Sequence, residues 1–156
     1  MDDSSGSRGG ESSATNRQGW AWIFLCLAIA THVTDEALTD FLSVYNPTVL
    51  AIRQRLPFLP IPTFTFGVWL TGLILGIILL LLLTPWVFRG AGWITPIAYI
   101  LGAIMVGNGM LHFAGSIYLG RRMPGVYSSP FLLVASIWLL VTTDQLRKNF
   151  SFPLEP

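Results

Sequence analysis

Long apolar runs alternate with short polar interruptions along this chain. The clearest run extends from Phe64 to Phe88, which contains no charged residue and has an almost unbroken Leu/Ile centre. Runs of comparable length occupy residues 20–45, 95–119 and 129–146. Each run is long enough to cross a hydrocarbon layer of about 30 Å as a helix. The pattern therefore predicts an all-α fold, a bundle of four transmembrane helices.

The segment between the first two runs has a mixed character. Asn46-Pro47 predicts the start of a new helix, because Asn is a good N-cap and Pro is favoured at the first helical position. The ten residues from Pro47 to Leu56 combine aliphatic side chains with Arg53 and Arg55. This composition is typical of a short helix that lies at the membrane surface. The first transmembrane helix is accordingly expected to end at Tyr45.

The two ends of the chain are polar. Residues 1–19 are rich in Ser and Gly and have little apolar surface to bury, so we expect a disordered tail there. Residues 20–148 then form the transmembrane domain, and residues 149–156 form a C-terminal tail. An alternative interpretation takes residues 20–30 as the apolar part of a signal peptide that is cleaved after Ala30. The helical pattern continues past Ala30, which favours the membrane helix.

Composition and charge agree with a membrane protein. The chain is 53% hydrophobic and 11% charged, whereas about 25% of the residues in an average soluble domain are charged. A net charge of +1 is too small to indicate nucleic-acid binding. Four spans place both termini on one side. We therefore expect a multi-pass protein of the cell membrane. The Lys and Arg residues divide almost equally between the two sides, and a small excess on the side of the termini favours cytoplasmic termini.

The candidate chemistry begins on the first helix. The sequence HVTDEALTD contains His32, Asp35, Glu36 and Asp40, which share an arc of about 140° on a helix. A carboxylate at membrane depth costs about 2.5 to 3.5 kcal/mol, so several acids without an adjacent base suggest a function. Alternatively Asp40, and with it Glu36, reaches the headgroup region and is simply solvated.

A second polar pair lies on the third predicted span. His112 follows Asn108 by four residues in NGMLH, so the two side chains face the same way. His32 lies about 18 Å along its helix from Trp20, and Asn108 about 22 Å from Trp93. The two helices run in the same direction, so these depths predict that the His32/Glu36 and Asn108/His112 pairs meet.

Together the two pairs contain the ligands of a metal site. Two imidazoles and a carboxylate with an open position suit zinc or nonhaem iron, with His32, Glu36 and His112 as ligands. Asp35 and Asn108 are then further catalytic residues. A metal-free acid/base cluster stays open, because Glu36 and Asp40 repel each other when both are ionised and would share a proton. Each histidine, taken alone, can also be a hydrogen-bonded core residue.

Several neighbours of the predicted site have two interpretations. Asp40, Arg121 and Arg122 are candidate substrate-binding residues, where the arginines would hold a phosphate or lipid headgroup at the mouth of the site. They can equally be flanking charges. Ser116 is the serine nearest the site in this pattern and a weak candidate nucleophile. Four glycines around the second pair either permit helix packing or leave space for a ligand, namely Gly102, Gly107, Gly109 and Gly115.

These motifs resemble a known family. HVTDE on a first membrane helix, NGMLH on a later one and a downstream Pro-Gly are similar to the HXXEE-domain proteins, a family of small bacterial membrane proteins. The resemblance covers roughly residues 20–145 and departs at Asp35, where the family pattern has Glu. It implies that His32, Asp35 and Glu36 form the motif and that Asn108 and His112 are its partners. It brings no established reaction.

The sequence thus predicts an intramembrane enzyme that acts on a lipid or other hydrophobic substrate, either a metal-dependent hydrolase or an acid/base catalyst. A proton- or cation-coupled carrier is a second hypothesis, since intramembrane acids can relay protons. A structural or assembly protein, in which the polar cluster only fixes helix pairing, is a third. Membrane lipid is the expected partner, and a homodimer is a further expectation.

Overall fold

Five helices make up the fold. We describe residues 4–151 in a computed structural model, with the side chains of residues 12–149, and find no strand in that part of the chain. The helices are α1 (Ser4–Leu38), α2 (Leu42–Arg55), α3 (Phe66–Phe88), α4 (Ile94–Leu119) and α5 (Ser129–Ser151). All except α2 are long and apolar enough to span a membrane. The predicted all-α fold with four transmembrane helices and one short helix is confirmed.

Helix α1 lies at the centre of the bundle. It packs against α3 on one side and α5 on another, while α4 packs against α5. Its fully buried residues include Trp22 and Leu25, which join Leu132 and Leu139 of α5 in the core. The indole Nε1 of Trp22 also donates a hydrogen bond of 2.9 Å to the carbonyl of Leu80, which ties α1 to α3. Among the described residues, α3 and α4 make no extensive contact with each other.

The N-terminal part of α1 is longer than the sequence predicts. The helix begins at Ser4, within the segment expected to be disordered, and Ala14 and Gln18 are buried. Gln18 donates a buried hydrogen bond of 3.1 Å from Nε2 to Thr143 Oγ1 on α5. The hydrogen bond to α5 therefore anchors the helix at Gln18, within the segment expected to be disordered. Residues 1–3 of the expected tail lie outside the described part.

The C-terminal boundary also differs from the expected one. Helix α5 continues to Ser151, whereas the apolar pattern ends near Leu146. The first residues of the expected tail 149–156 are thus helical, and residues 152–156 lie outside the described part. The polar last turns of α5 are stabilised by side-chain ion pairs at helical spacing, in which Asp144 accepts from Lys148 at 2.7 Å and from Arg147 at 3.2 Å.

The break between α1 and α2 comes earlier than expected. Helix α1 ends at Leu38 instead of Tyr45, and α2 begins at Leu42. Asp40, between them, has a left-handed φ of 55°. Asp visits this region more readily than most residues, so the chain can turn there without a glycine. The prediction that Asp40 continues the polar face of α1 after His32, Asp35 and Glu36 is therefore wrong, because the helix ends before Asp40.

Asn46 and Pro47 do not start α2. Pro47 lies inside the helix, five residues after its first residue. The Asn46 side chain pairs instead with the backbone of Phe64, donating from Nδ2 to the carbonyl at 2.9 Å and accepting from the amide at 3.1 Å. It therefore anchors the extended segment that leads into α3. The position of α2 at the membrane surface stays a prediction.

Candidate metal centre

Two polar pairs on α1 and α4 meet in the interior of the bundle. Nε2 of His32 lies 3.1 Å from Nε2 of His112, and Glu36 Oε1 lies 3.1 Å from His112 Nε2 and 3.5 Å from His32 Nε2. All three residues are buried, with exposed fractions of 2% for His32, 1% for His112 and 5% for Glu36. The predicted contact between the His32/Glu36 pair and the Asn108/His112 pair is therefore observed. It brings three potential ligand atoms together at one buried position.

The spacing of these atoms suits a metal ion. Each of the three residues offers one ligand atom, and all three atoms lie within 4.8 Å of one another. With the separations above, a point about 1.9 Å from all three atoms lies in their plane, close to the bond lengths of about 2.0 to 2.2 Å from zinc to imidazole and carboxylate. The cluster of His32, Glu36 and His112, here called the His/Glu cluster, can hold a metal ion.

Asn108 completes the cluster on one side. Its Nδ2 lies 3.1 Å from His32 Nε2, and the side chain is half-buried. An amide beside the ligand atoms can hold a water or a substrate oxygen without competing strongly as a ligand. The sequence placed Asn108 at this depth through its spacing from His112, and the structure brings it there.

Asp35 reaches the cluster through a serine. Ser128, the residue before α5, donates from Oγ to Asp35 Oδ2 at 2.8 Å and from its backbone amide to the same oxygen at 2.9 Å. The same hydroxyl lies 2.8 Å from His32 Nδ1. Since a hydroxyl has one proton and the bond to a carboxylate is the stronger, Nδ1 of His32 must be the donor to Ser128. The neutral ring then has no proton on Nε2, and its lone pair faces the cluster.

Gly125 closes the cluster from the other side. Its φ is +84°, and a Cβ at this position would lie 2.6 Å from His112 Cε1 and 3.0 Å from Glu36 Cγ. Any side chain there would displace the histidine or the carboxylate. Nδ1 of His112, beside Gly125, has no hydrogen-bond partner within residues 12–149. The loop 120–128 therefore shapes the site directly.

Ser128 and the contacts of Gly125 were missed by sequence reasoning. Ser128 precedes Ser129-Pro130, which predicts only the start of a helix, and Gly125 entered only as part of a Pro-Gly resemblance. Each residue lies more than 85 positions from the α1 motif that it contacts. Gly125, Ser128 and Ser129 are small residues, but Val126 and Tyr127 lie between them, so the sequence carries no clear signal of a close backbone approach.

A comparison with family models decides the relationship of the chain. The model described as "Protein of unknown function with HXXEE motif" matches residues 22–139. The chain belongs to this HXXEE family. Neither a curated protein nor a solved structure matches the chain.

The HXXEE motif corresponds to His32, Asp35 and Glu36 in this chain. Asp35 stands where the motif has Glu, and here its carboxylate accepts both hydrogen bonds from Ser128 at one oxygen. The motif thus supplies two buried atoms that could bind a metal ion, one from His32 and one from Glu36. Its third member, Asp35, orients His32 through Ser128. His112 and Asn108, also within the matched range, supply the rest of the cluster.

The glycines of α4 have different uses in this HXXEE protein. A Cβ at Gly102 or Gly109 would meet Leu140 or Leu133 of α5 at 2.8 Å, so these two glycines permit close helix packing. Gly115 packs against Met123. Gly107 has no described protein atom within 4 Å of its Cβ position, so it leaves space. The packing interpretation is correct for Gly102 and Gly109, whereas space for a ligand beside Gly107 stays a prediction.

The three candidate substrate-binding residues lie outside the His/Glu cluster. Asp40, Arg121 and Arg122 are exposed. Arg122 donates to the hydroxyl of Tyr127 at 2.8 Å, with its guanidinium 5.6 Å from the ring centroid. A role for the three residues in binding substrate stays a prediction.

Ser116 has a structural role. Its Oγ donates to the carbonyl of His112 at 2.7 Å and accepts from the amide of Met123 at 2.9 Å. These bonds fasten the loop after α4 to the last turns of that helix. The hydroxyl is therefore engaged in holding the backbone rather than aimed at the His/Glu cluster.

A groove of roughly 430 Å³ leads from the cluster to the side of the bundle. Glu36 and Asn108 lie at its polar end, and its walls come from the start of α2, from α3 and from α4. The wall residues are Phe41, Trp69, Leu73, Ile104, Met105, Gly107 and Leu111. A path toward Arg121 and Arg122 was expected, but neither arginine lines this groove, because it opens between α3 and α4.

Proposed function

We propose that this HXXEE protein is an intramembrane enzyme that uses a divalent metal ion, zinc or iron, held by His32, Glu36 and His112. Its substrate would be a lipid or another hydrophobic molecule. The observation that carries the proposal is the convergence of three buried ligand atoms, 3.1 to 3.5 Å apart, on helices that are apolar enough to span a membrane. Bundle stability does not require such a group, since buried ionisable residues are costly at membrane depth.

The chain supplies what such a centre needs around the ion. Asp35 and Ser128 fix the proton of His32 on Nδ1, so Nε2 is ready to bind. A bound divalent ion would supply Lewis-acid activation of water or of a carbonyl group, the chemistry of a hydrolase. Glu36, which contacts both imidazoles through one oxygen, retains a second oxygen that can accept a proton.

Asn108 has a separate role in this proposal. Its amide donates to His32 Nε2 in the structure described here. If a bound ion took that lone pair, the amide would be free to hold a substrate oxygen at the inner end of the groove that Asn108 lines. Asn108 would thus orient the substrate rather than bind the ion.

A metal-free acid/base catalyst is the second candidate. One observation favours it. Nε2 of His32, Nε2 of His112 and the Glu36 carboxylate form a continuous chain of contacts of 3.5 Å or less, along which a proton can move. Glu36, which lines the groove at its inner end, could exchange a proton with a substrate. This candidate uses the same residues but predicts no stoichiometric metal.

Metal analysis of the purified protein tests the proposal. The full chain, prepared in detergent without chelators, should contain close to one equivalent of zinc or iron. Substitutions His32→Ala and His112→Ala should abolish it while the protein stays monodisperse. Ser136→Ala is a matched control, because Ser136 is buried on α5 and donates only to the Leu132 carbonyl.

Two results would contradict the metal centre. One is a wild-type protein that retains neither Zn²⁺ nor Fe²⁺ after reloading and desalting. The other is metal content that persists in both histidine variants. Either result would leave the acid/base catalyst, the carrier and the structural protein as the remaining explanations.

A further inference from the structure

The groove between α3 and α4 ends on the proposed catalytic cluster, and its position restricts what can enter it. We propose that it admits an uncharged lipophilic substrate sideways from the hydrocarbon core, with a carbonyl or hydroxyl group that reaches Glu36 and Asn108. This inference rests on the proposed function, because it names the substrate class of the same site. It goes beyond that function by excluding anionic headgroups as the part of the substrate that enters.

The helix arrangement creates the lateral opening. Helix α3 packs on α1 and α4 packs on α5, so the two neighbours are held apart by different partners. They are joined at one end by residues 89–93, where the rings of Trp86 and Trp93 lie 6.2 Å apart. The groove lies toward the other end, next to the start of α2. The opening thus faces the lipid, to which transmembrane helices present their outer surfaces.

The lining of the groove suits an apolar molecule with one polar group. Its volume of roughly 430 Å³ is in the range of ligand pockets, about 300 to 1,000 Å³. All side chains along the walls are apolar, with the carboxylate of Glu36 and the amide of Asn108 at the inner end. None of the lining residues is basic, so an anionic group would find no side-chain counter-ion along the walls through which it would have to pass.

Depth supports the same substrate class. The part of α4 that lines the groove, Ile104 to Leu111, lies about 12 to 23 Å along the helix axis from its end at Leu119. The arginines that follow that end mark the polar boundary. A charged group that entered from the side would have to cross the apolar part of the groove without a counter-ion, which is costly. A carbonyl or hydroxyl group carries a much smaller desolvation penalty.

Gly107 offers a way to block the groove without disturbing the fold. It lies in the wall, beside Asn108, and no described protein atom lies within 4 Å of its Cβ position. The substitution Gly107→Leu would therefore fill space in the groove rather than displace packed atoms. Gly76 on α3 is the matched control, because it is exposed, has equally open space around its Cβ position and does not line the groove.

The probe for the experiment is a long-chain fatty alcohol with a diazirine in its chain, added to the full-length protein in phosphatidylcholine nanodiscs. Light-induced labelling of the wild type should be saturable and should map to the groove-lining parts of α3 and α4. Unlabelled fatty alcohol should compete, and the alkyl phosphate of equal chain length should not. Gly107→Leu should lower saturable labelling about tenfold, equivalent to a loss of about 1.4 kcal/mol of binding, while Gly76→Leu should match the wild type.

Four outcomes would overturn the inference. Three concern labelling, namely labelling that does not saturate, equal competition by the alkyl phosphate, and unchanged labelling of Gly107→Leu. The fourth is the loss of a dimer in Gly107→Leu by native mass spectrometry, which would show that a second copy covers the groove. Metal content, measured in the same samples, tests the proposed function separately. A wild type without metal but with saturable labelling would contradict the metal enzyme and keep the lateral entry.

Discussion

Ser128 Oγ lies 2.8 Å from His32 Nδ1, on the side of the imidazole that faces away from the clustered ligand atoms. The same hydroxyl donates to Asp35, the fourth residue of the family motif. Two motif residues on one helix are thus connected through a third residue, which immediately precedes α5. The connection fixes which ring nitrogen of His32 carries the proton, and it leads to the first two predictions.

Ser128→Ala should weaken metal binding about 10- to 100-fold, the effect measured when residues that orient metal ligands are removed. The fold should persist, because the backbone amide of residue 128 can still donate to Asp35. Titration with Zn²⁺ against a competing chelator gives the affinity, and Ser136→Ala is the control. Equal affinity in the wild type and Ser128→Ala would contradict the orienting role.

Asp35→Ala removes the acceptor for two hydrogen bonds from Ser128. We expect a loss of about 1 to 3 kcal/mol in the free energy of unfolding, because a mostly buried amide loses its partner, together with weaker metal binding. Asp35→Glu, which restores the family residue, should recover most of both. Thermal unfolding and the same chelator competition measure these effects. A glutamate variant as defective as the alanine variant would show that the position requires the shorter arm.

Gly125→Ala should both strain the backbone and push His112 out of place. Its φ of +84° disfavours any side chain, and the new Cβ would contact His112 and Glu36. Gly120→Ala isolates the first effect, since Gly120 has a φ of +62° and open space around it. We expect about 1 kcal/mol of destabilisation for Gly120→Ala and about 1 to 3 kcal/mol more for Gly125→Ala. Only Gly125→Ala should lower the metal content, and similar metal content in both variants would argue against the site.

Glu36→Ala should remove the metal but leave the protein folded. Its carboxylate contacts only the two imidazoles among the contacts described here, and burying it is costly. The free energy of unfolding of the metal-free protein should change by no more than about 1.5 kcal/mol, the contribution of an ordinary hydrogen bond. Denaturation of metal-free wild type and variant makes the comparison. A loss of several kcal/mol would instead favour a cluster that serves helix pairing.

The topology is also testable. Gln18 bonds Thr143, and Thr15 packs against Gly90, so the N-terminal part of α1, the α3–α4 loop and the end of α5 lie at one end of the bundle. Reporter fusions at Arg17, Arg89 and Lys148 should therefore agree with one another. Fusions at Arg55 and Arg122 should report the opposite side. Agreement among all five positions would contradict the four-span topology.

Much of the fold could be predicted from local sequence. Hydrophobic runs located α3 and α4 to within two residues of their observed starts, because transmembrane length and composition are local properties. Helical spacing placed His32 with Glu36 and Asn108 with His112, and counting residues from Trp20 and Trp93 brought the pairs to similar depth. The predicted end of α1 was wrong. The chain turns at Asp40, a single residue with left-handed φ, and no glycine or proline marks this turn in the sequence.

The sequence by itself determined the number of spans, the side chains that point the same way on each helix and the membership of the HXXEE family. Only the tertiary structure decided that Ser128 orients His32, that Gly125 touches His112, and that Gly107 lies in a groove rather than a packed interface. These facts concern contacts between different helices and loops, such as Ser128 with His32, or the space that such contacts leave open. The helical periodicity of a sequence predicts only the direction in which a side chain points from its own helix. The neighbouring helix that it meets depends on the packing of the whole bundle.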